Sequence, residues 1–311
     1  MNEIRQDYLL DRFVIIAENR AKRPKDFVIQ KVEEKKRAAC VFCPGNEHLT
    51  PPETGRVGGK GRKWLVRSFY NDYPAVAEWF PLARGSHEVI AETPDHEKQF
   101  GDLSAAQIGR VVQMYAERTA KLERDPHVKY VSIFKNQMPA AGTSIAHAHS
   151  QLMALDRVPP LVNEEVAAFG KKKRSSGDCV FCSVAEEEEE SERQIASDPN
   201  FIALAPYASR VPFEVWLIPK RHVRKVTNLR EGEVSSLARM LRLVLSRLDG
   251  LFGRTPLNFY LHAAPDKQDF HFHVEIVPRL NIWAGFELGS GAYINPVAPE
   301  AAAEALRDCA P

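Results

Sequence analysis

Net charge is what this sequence has least of. Across 311 residues, 42 Lys and Arg stand against 41 Asp and Glu, a formal charge of +1, so no basic stripe exists to track a nucleic-acid backbone. Long apolar runs are missing too. No charged leader precedes a hydrophobic stretch, and no uninterrupted apolar segment reaches bilayer length, which predicts a soluble, cytoplasmic chain without membrane partners. Cysteine is scarce, five residues in all, and in a reducing compartment paired cysteines serve more often as metal ligands or redox motifs than as disulfides. What is present is 44% hydrophobic content, enough for a sizeable core and, at this length, better suited to two domains than one.

Four of the cysteines fall in an identical tetrapeptide, Cys40-Val-Phe-Cys43 and Cys179-Val-Phe-Cys182, which points to a long internal repeat. After each pair come two β-rich runs, 64–76 and 86–93, then 201–208 and 213–220. A histidine follows, His96 or His222, and then an amphipathic helix, 103–124 or 231–251; Asp102 or Ser104 is positioned to cap the first. Each copy continues with a β-rich run, 128–136 or 257–262, and a His-x-His strand, His147-Ala-His149 or His271-Phe-His273. His96 and His147 are 51 residues apart, and His222 and His271 are 49 apart. The order predicts an α+β fold of two duplicated halves, 1–165 and 175–311, each an antiparallel sheet with a long helix, related by a pseudo-twofold axis. The charge runs Lys171 to Arg174 and Glu186 to Glu190 read as solvated loops.

Each copy supplies two thiolates and two imidazoles, the ligand set of a closed, structural tetrahedral zinc site. The first set is Cys40, Cys43, His96 and His147; the second is Cys179, Cys182, His222 and His271. In the second, His262 and His273 compete with His271 for the fourth position, and a His-rich cluster is open to iron, although two thiolates favour zinc. His48, His87 and His127 stand outside the repeat and read as ordinary polar residues, and Cys309 as a free thiol without function.

On a strand, alternate residues share a face, so His147, His149 and Gln151 line one surface. A neutral imidazole whose far nitrogen is held by a backbone carbonyl can attack phosphorus and form a covalent phosphoramidate, and His149 is the candidate nucleophile. Gln151 would donate to the phosphoryl oxygen where charge builds. The second copy has Glu275 at the matching position, and a carboxylate there repels phosphate, so the first copy is the active one. Asn136 and the loop Ala141-Gly142-Thr143-Ser144 offer further donors, with Gly142 allowing close backbone approach.

Together with Arg20-Ala-Lys-Arg23-Pro, Asn71-Asp72, Pro94-Asp-His96 and Gly285-Phe-Glu287, these motifs resemble the galactose-1-phosphate uridylyltransferase family, a branch of the histidine-triad superfamily, almost end to end. The resemblance implies that UDP-glucose uridylylates His149 with release of glucose 1-phosphate, and that a second hexose 1-phosphate such as galactose 1-phosphate then takes the UMP, in ping-pong order. It also implies phosphate contacts for Arg20 and Arg23 and nucleoside contacts for Asn71 and Asp72. Asn136, Ser144 and Gln151 would hold the transferred group, Phe286 and Glu287 the sugar, and the assembly would be a homodimer. One departure is Ala148, where uridylyltransferases carry Pro. The segment from Ser144 to Gln151 and the second Cys pair also resemble ADP-glucose phosphorylase, a relative that passes AMP from ADP-glucose to phosphate, which leaves base and acceptor open.

Overall fold

Strands buried on both faces read as continuous apolar runs, whereas strands with one wet face alternate; Phe201–Leu204, Val215–Pro219 and His273–Pro278 in the second half are buried throughout, while Tyr130–Gln137 in the first half alternates. The computed structural model describes residues 2–22, 40–265 and 267–310; Arg23 lies outside the described residues. In chain order the strands are β1 (Glu3–Gln6), β2 (Phe13–Ile16), β3 (Glu53–Gly58), β4 (Trp64–Tyr70), β5 (Gly85–Ala91), β6 (Tyr130–Gln137), β7 (His149–Leu155), β8 (Gln194–Ser197), β9 (Phe201–Leu204), β10 (Val215–Pro219), β11 (Leu257–His262), β12 (His273–Pro278) and β13 (Tyr293–Asn295). The helices are α1 (Ala105–Leu122), α2 (Pro160–Ser176), α3 (Val180–Glu187), α4 (Glu231–Phe252), α5 (Gly285–Ser290) and α6 (Pro299–Asp308).

Ten strands form one sheet in the order β3-β4-β5-β7-β6-β11-β12-β10-β9-β8. That order is a palindrome of the repeat: β6 and β11 meet antiparallel at the centre, with Asn136 opposite Asn258, and the equivalent strands run outward from this seam. The duplicated α+β architecture expected from the sequence is therefore present, with the halves joined edge to edge. A separate three-stranded sheet, β1-β2-β13, gathers the two ends of the chain.

Helices α1 and α4 lie side by side on one face of the large sheet. Their apolar stripes, Ile108, Val111, Val112 and Tyr115 with Leu237, Met240, Leu241 and Val244, are buried in the main core, each side chain contributing about 1.5–3 kcal/mol. Ser104 caps α1, its hydroxyl accepting from Gln107 N–H at 3.2 Å, while Asp102 accepts from Gln99 N–H. On the opposite face, α2 and α3 seal the second half, packing Val162, Val166, Phe169 and Phe181 against Ile202, Leu204, Trp216 and Ile218. Among the described residues no helix covers the first half there, and Ser132, Phe134, Asn136, Gln151 and Met153 are half-buried.

The charge runs depart from the expected loops. Lys171 to Arg174 belong to α2, where Lys173 and Arg174 sit in the last turn and favour its negative end. Glu186 to Glu190 run from α3 into a 3-10 turn, and Glu188 is buried, taking Arg193 at 2.7 Å and the Tyr8 hydroxyl at 2.5 Å. A run of like charge reads as solvated until distant partners are known, and Tyr8 is 180 residues away. Among the described residues no helix is long and apolar enough to cross a membrane.

Candidate active site and metal centres

Two clusters assemble as the spacing predicts: Cys40, Cys43, His96 and His147, and Cys179, Cys182, His222 and His271. In a tetrahedral site with Zn–S near 2.3 Å and Zn–N near 2.0–2.1 Å, a sulfur–nitrogen edge is about 3.5 Å. The structure gives 3.7 Å from Cys40 Sγ and from Cys43 Sγ to His147 Nδ1, and 3.3 Å from Cys43 Sγ to His96 Nδ1. In the second cluster, Cys179 Sγ and Cys182 Sγ lie 3.3 and 3.5 Å from His271 Nδ1, and Cys182 Sγ lies 3.9 Å from His222 Nδ1. The donor sets fit a zinc-sized tetrahedron in both halves. His147 Nε2–H donates to Thr93 O at 2.6 Å and His271 Nε2–H to Pro219 O at 2.9 Å, which leaves each Nδ1 bare toward its cysteines, as a ligand requires. His222 Nε2 meets Asp269 at 2.9 Å. His271, rather than His262 or His273, completes the second set; those two gather with Glu275 in a separate buried cluster.

His147 precedes β7 and His149 opens it. His149 Nδ1–H donates to the His147 carbonyl at 2.8 Å, so the neutral ring carries its lone pair on Nε2. Burial, helped by the cation on Lys135, pushes the His149 pKa down to about 4, keeping the ring unprotonated near neutrality. Lys135 is itself buried, its Nζ donating to Glu92 at 2.6 Å and to the His149 carbonyl at 3.1 Å. Ser150 and Tyr115 extend this network on the far side of the strand. Neither Lys135 nor Glu92 was singled out in the sequence, although a charge inside a strand, or directly after one, with apolar neighbours is the signal that marks them.

Gln151, half-buried, lies on the same sheet face as His149, whose ring packs 5.3 Å from that of Phe42. Its Oε1 is 2.9 Å from His87 Nε2, so His87, read from the sequence as an ordinary polar residue, belongs to the site. Asn71 joins through its Nδ2, 3.2 Å from the same nitrogen, and Asp72 beside it is exposed. Asn136 is held across the central seam by Asn258, whose amide donates to Asn136 Oδ1 and to Ala141 O at 2.8 Å each. Gly142 takes φ +94°, a left-handed conformation, and a Cβ built on it would stand 3.9 Å from Asn136 Nδ2. Ser144 is exposed on the same loop. Arg20 lies in the 3-10 turn that follows β2. Phe286 and Glu287 lie in α5, where Glu287 accepts from Ala284 N–H. Among the described residues, none of these three shares a hydrogen bond, ion pair or ring contact with His149 or Gln151.

Residues 1–159 match the profile of the galactose-1-phosphate uridyl transferase N-terminal domain, and residues 82–308 match a domain of unknown function, DUF4921. The chain is 32% identical to an ADP-glucose phosphorylase of Arabidopsis thaliana, covering 98% of this chain and 92% of that one. It is likewise 32% identical to a galactose-1-phosphate uridylyltransferase of Thermotoga maritima, covering 99% and 98%. Among solved structures, an Arabidopsis thaliana ADP-glucose phosphorylase with bound ADP-glucose superposes with a TM-score of 0.89 at 32% identity, over 100% of this chain and 99% of that one. A uridylyltransferase superposes at 0.78 and 30% identity, over 99% and 98%.

Proposed function

The chain belongs to the galactose-1-phosphate uridylyltransferase family, and we propose that, as a nucleotidyltransferase of that family, it moves a nucleoside monophosphate from a nucleotide sugar to a phosphate acceptor through a covalent intermediate on His149. The observation that carries this is the His149 lock: Nδ1–H is spent on the His147 carbonyl, so Nε2 is the nucleophilic atom. Nε2 attacks the α-phosphorus; the P–N bond forms and the bond to the sugar-phosphate oxygen breaks. The leaving group is a phosphate with a second pKa of about 6, able to depart as an anion without a general acid. An oxygen of the acceptor phosphate then attacks, the P–N bond breaks, and His149 returns neutral. Gln151 and Asn136 donate to the non-bridging oxygens, with Gly142 and Ser144 lining the approach.

For the substrate pair we infer ADP-glucose and inorganic phosphate. Ala148 between the histidines, the second complete metal set and the closer superposition on the ADP-glucose phosphorylase support it. The uridylyl reading, UDP-glucose and galactose 1-phosphate, is favoured by the equal identity to the Thermotoga maritima relative. Asn71 and Asp72 are assigned to the nucleoside, Arg20 and Arg23 to phosphates, and both Cys2His2 sets to structural zinc, which would pin the loops on which His147 and His271 sit. We assign Phe286 and Glu287 to the sugar within a homodimer whose second protomer covers the exposed Ile282, Phe286 and Leu288.

Incubation with ADP-glucose and with UDP-glucose separately, followed by peptide mass spectrometry, tests the reading. The expected product is AMP on His149, discharged by phosphate with formation of ADP. UMP discharged by galactose 1-phosphate would select the second reading, and no adduct from either sugar would end both.

A further inference from the structure

An amide beside a phosphoryl group helps only in one of its two orientations. The NH2 end stabilises the developing negative charge, whereas the oxygen end repels it. An unrestrained Gln has little to choose between them, so its orientation has to come from a neighbour.

The neighbour of Gln151 is His87. Strands β5 and β7 pair with Val89 opposite Gln151, which puts His87 diagonally across on the same face. His87 is 8% exposed, and its protonation is fixed from the other side of the ring. Ala75 N–H donates to Nδ1 at 3.2 Å, so Nδ1 carries no proton in the neutral ring and Nε2 carries it. Burial holds the ring neutral by lowering its pKa. Nε2–H therefore donates to Gln151 Oε1 at 2.9 Å. Asn71 Oδ1 accepts from Tyr73 N–H at 2.9 Å, so its NH2 group, although 3.2 Å from Nε2, has no acceptor there.

The second half shows what the same two positions become when they do not face phosphate. Trp216 pairs with Glu275 as Val89 pairs with Gln151, so the counterpart of His87 is Glu214. Both carboxylates there turn onto Arg210.

We propose that His87 is a positioning residue for nucleotidyl transfer, fixing the Gln151 amide with its oxygen turned away from the phosphoryl group and its NH2 presented to it. The idea rests on the function proposed above, and its test separates the two. In protein labelled with ¹⁵N-histidine, long-range ¹H–¹⁵N spectra read each tautomer without any substrate, and His87→Phe assigns the signal. The expected result is a neutral ring with the proton on Nε2, whose resonance moves in Gln151→Ala. A proton on Nδ1, or a resonance indifferent to Gln151, overturns the proposal whatever the substrate. In single-turnover formation of the nucleotidyl-enzyme, His87→Phe should slow the step roughly 10- to 100-fold, below the roughly 100- to 1,000-fold expected for loss of an oxyanion donor. His87→Gln, which retains a donor, should recover most of it. On a Gln151→Ala background His87→Phe should cost less than about twofold; an equal loss on both backgrounds would mean a structural role and sink the proposal. If wild-type protein forms no adduct with either nucleotide sugar, the proposed function fails and the tautomer measurement alone decides the role of His87.

Discussion

The two halves of the sheet hold the same imidazole in the same way and put it to different ends. His149 Nδ1–H is fastened to the His147 carbonyl at 2.8 Å, and His273 Nδ1–H to the His271 carbonyl at 3.1 Å. Each follows a residue anchored in a Cys2His2 cluster. Against the buried His149 packs Phe42, ring centroids 5.3 Å apart, and the next residue on that face, Gln151, is a half-buried neutral amide. Above His273 lie His262, stacked at 4.7 Å, and Phe181 at 4.4 Å, with Glu275 tied to Arg210. Locking an imidazole is thus a property of the repeated His-x-His strand, and the reactivity proposed for His149 alone turns on what surrounds it: a neutral amide in the first half, a second imidazole and a paired carboxylate in the second.

The sharpest break in that comparison is between the two histidines themselves. His149→Gly should abolish the nucleotidyl adduct and lower turnover by on the order of 10⁴-fold or more, as loss of a nucleophile does elsewhere. His273→Ala should leave single-turnover adduct formation within about threefold of wild type while lowering the melting temperature, because a fully buried ring is lost from a packed cluster. Adduct formation in the His149 variant, read by intact mass, would refute the assignment.

The amide and the carboxylate give the next contrast. Gln151→Glu, which gives the first half the second half's residue, should slow adduct formation roughly 100- to 1,000-fold through repulsion of the phosphate and loss of a donor. The reverse change, Glu275→Gln, is expected to leave the chemistry alone and destabilise the fold. Glu275 is held well below the ordinary carboxylate range, against its burial, by Arg210 and His262; neutralising it leaves Arg210 to Glu214. A cost of about 3 kcal/mol, the low end for a broken buried pair, should appear in urea unfolding. An unchanged midpoint would show that Glu214 alone balances Arg210.

How much of this could be read beforehand follows from how far each role reaches along the chain. Metal ligands demand particular residue types at fixed spacing, so both clusters were legible, and His271 needed only the structure to separate it from His262 and His273. That His149 and Gln151 share one face of a strand follows from alternation within a single segment and was legible for that reason. His87 was passed over because its role depends on the β5–β7 register, which joins it to a residue 64 positions away. Asn258 was missed because it supports Asn136 across a seam 122 residues wide. Arg20, Phe286 and Glu287 came from resemblance alone, and within one chain the fold leaves them in and around the small sheet.

The metal clusters offer a smaller effect with a clear asymmetry. His147 belongs to the first Cys2His2 cluster and supplies the carbonyl that locks His149, so if that cluster holds the proposed zinc, Cys43→Ser should loosen the lock and slow adduct formation roughly tenfold, in the range found when support for a metal site is removed. Cys182→Ser removes the equivalent ligand beneath His273, where no chemistry is expected. It should lower the melting temperature and release one metal per chain by elemental analysis, with adduct formation nearly unchanged. Equal kinetic losses from the two variants would mean that the second cluster also supports the site.

The smallest expected effect is a flat line. In water an imidazole titrates near 6.5, and a nucleophile with that pKa would lose activity steadily as pH fell from 7.5 to 5.5. Burial and Lys135 place His149 at about 4, and a divalent cation on His147 would push in the same direction, since positive charge disfavours a second one nearby. A depressed pKa means that the reactive neutral form persists until the pH approaches that value. The adduct-forming step should therefore vary less than about twofold between pH 5.5 and 8 and fall only as pH drops through 4 to 5. Lys135→Met keeps the apolar stem and removes the charge, so it should raise the acid limb toward the ordinary histidine range. Stopped-flow measurement of the first turnover at each pH reads this directly, and a limb near 6.5 in the wild-type enzyme would show that His149 is more hydrated than its surroundings imply.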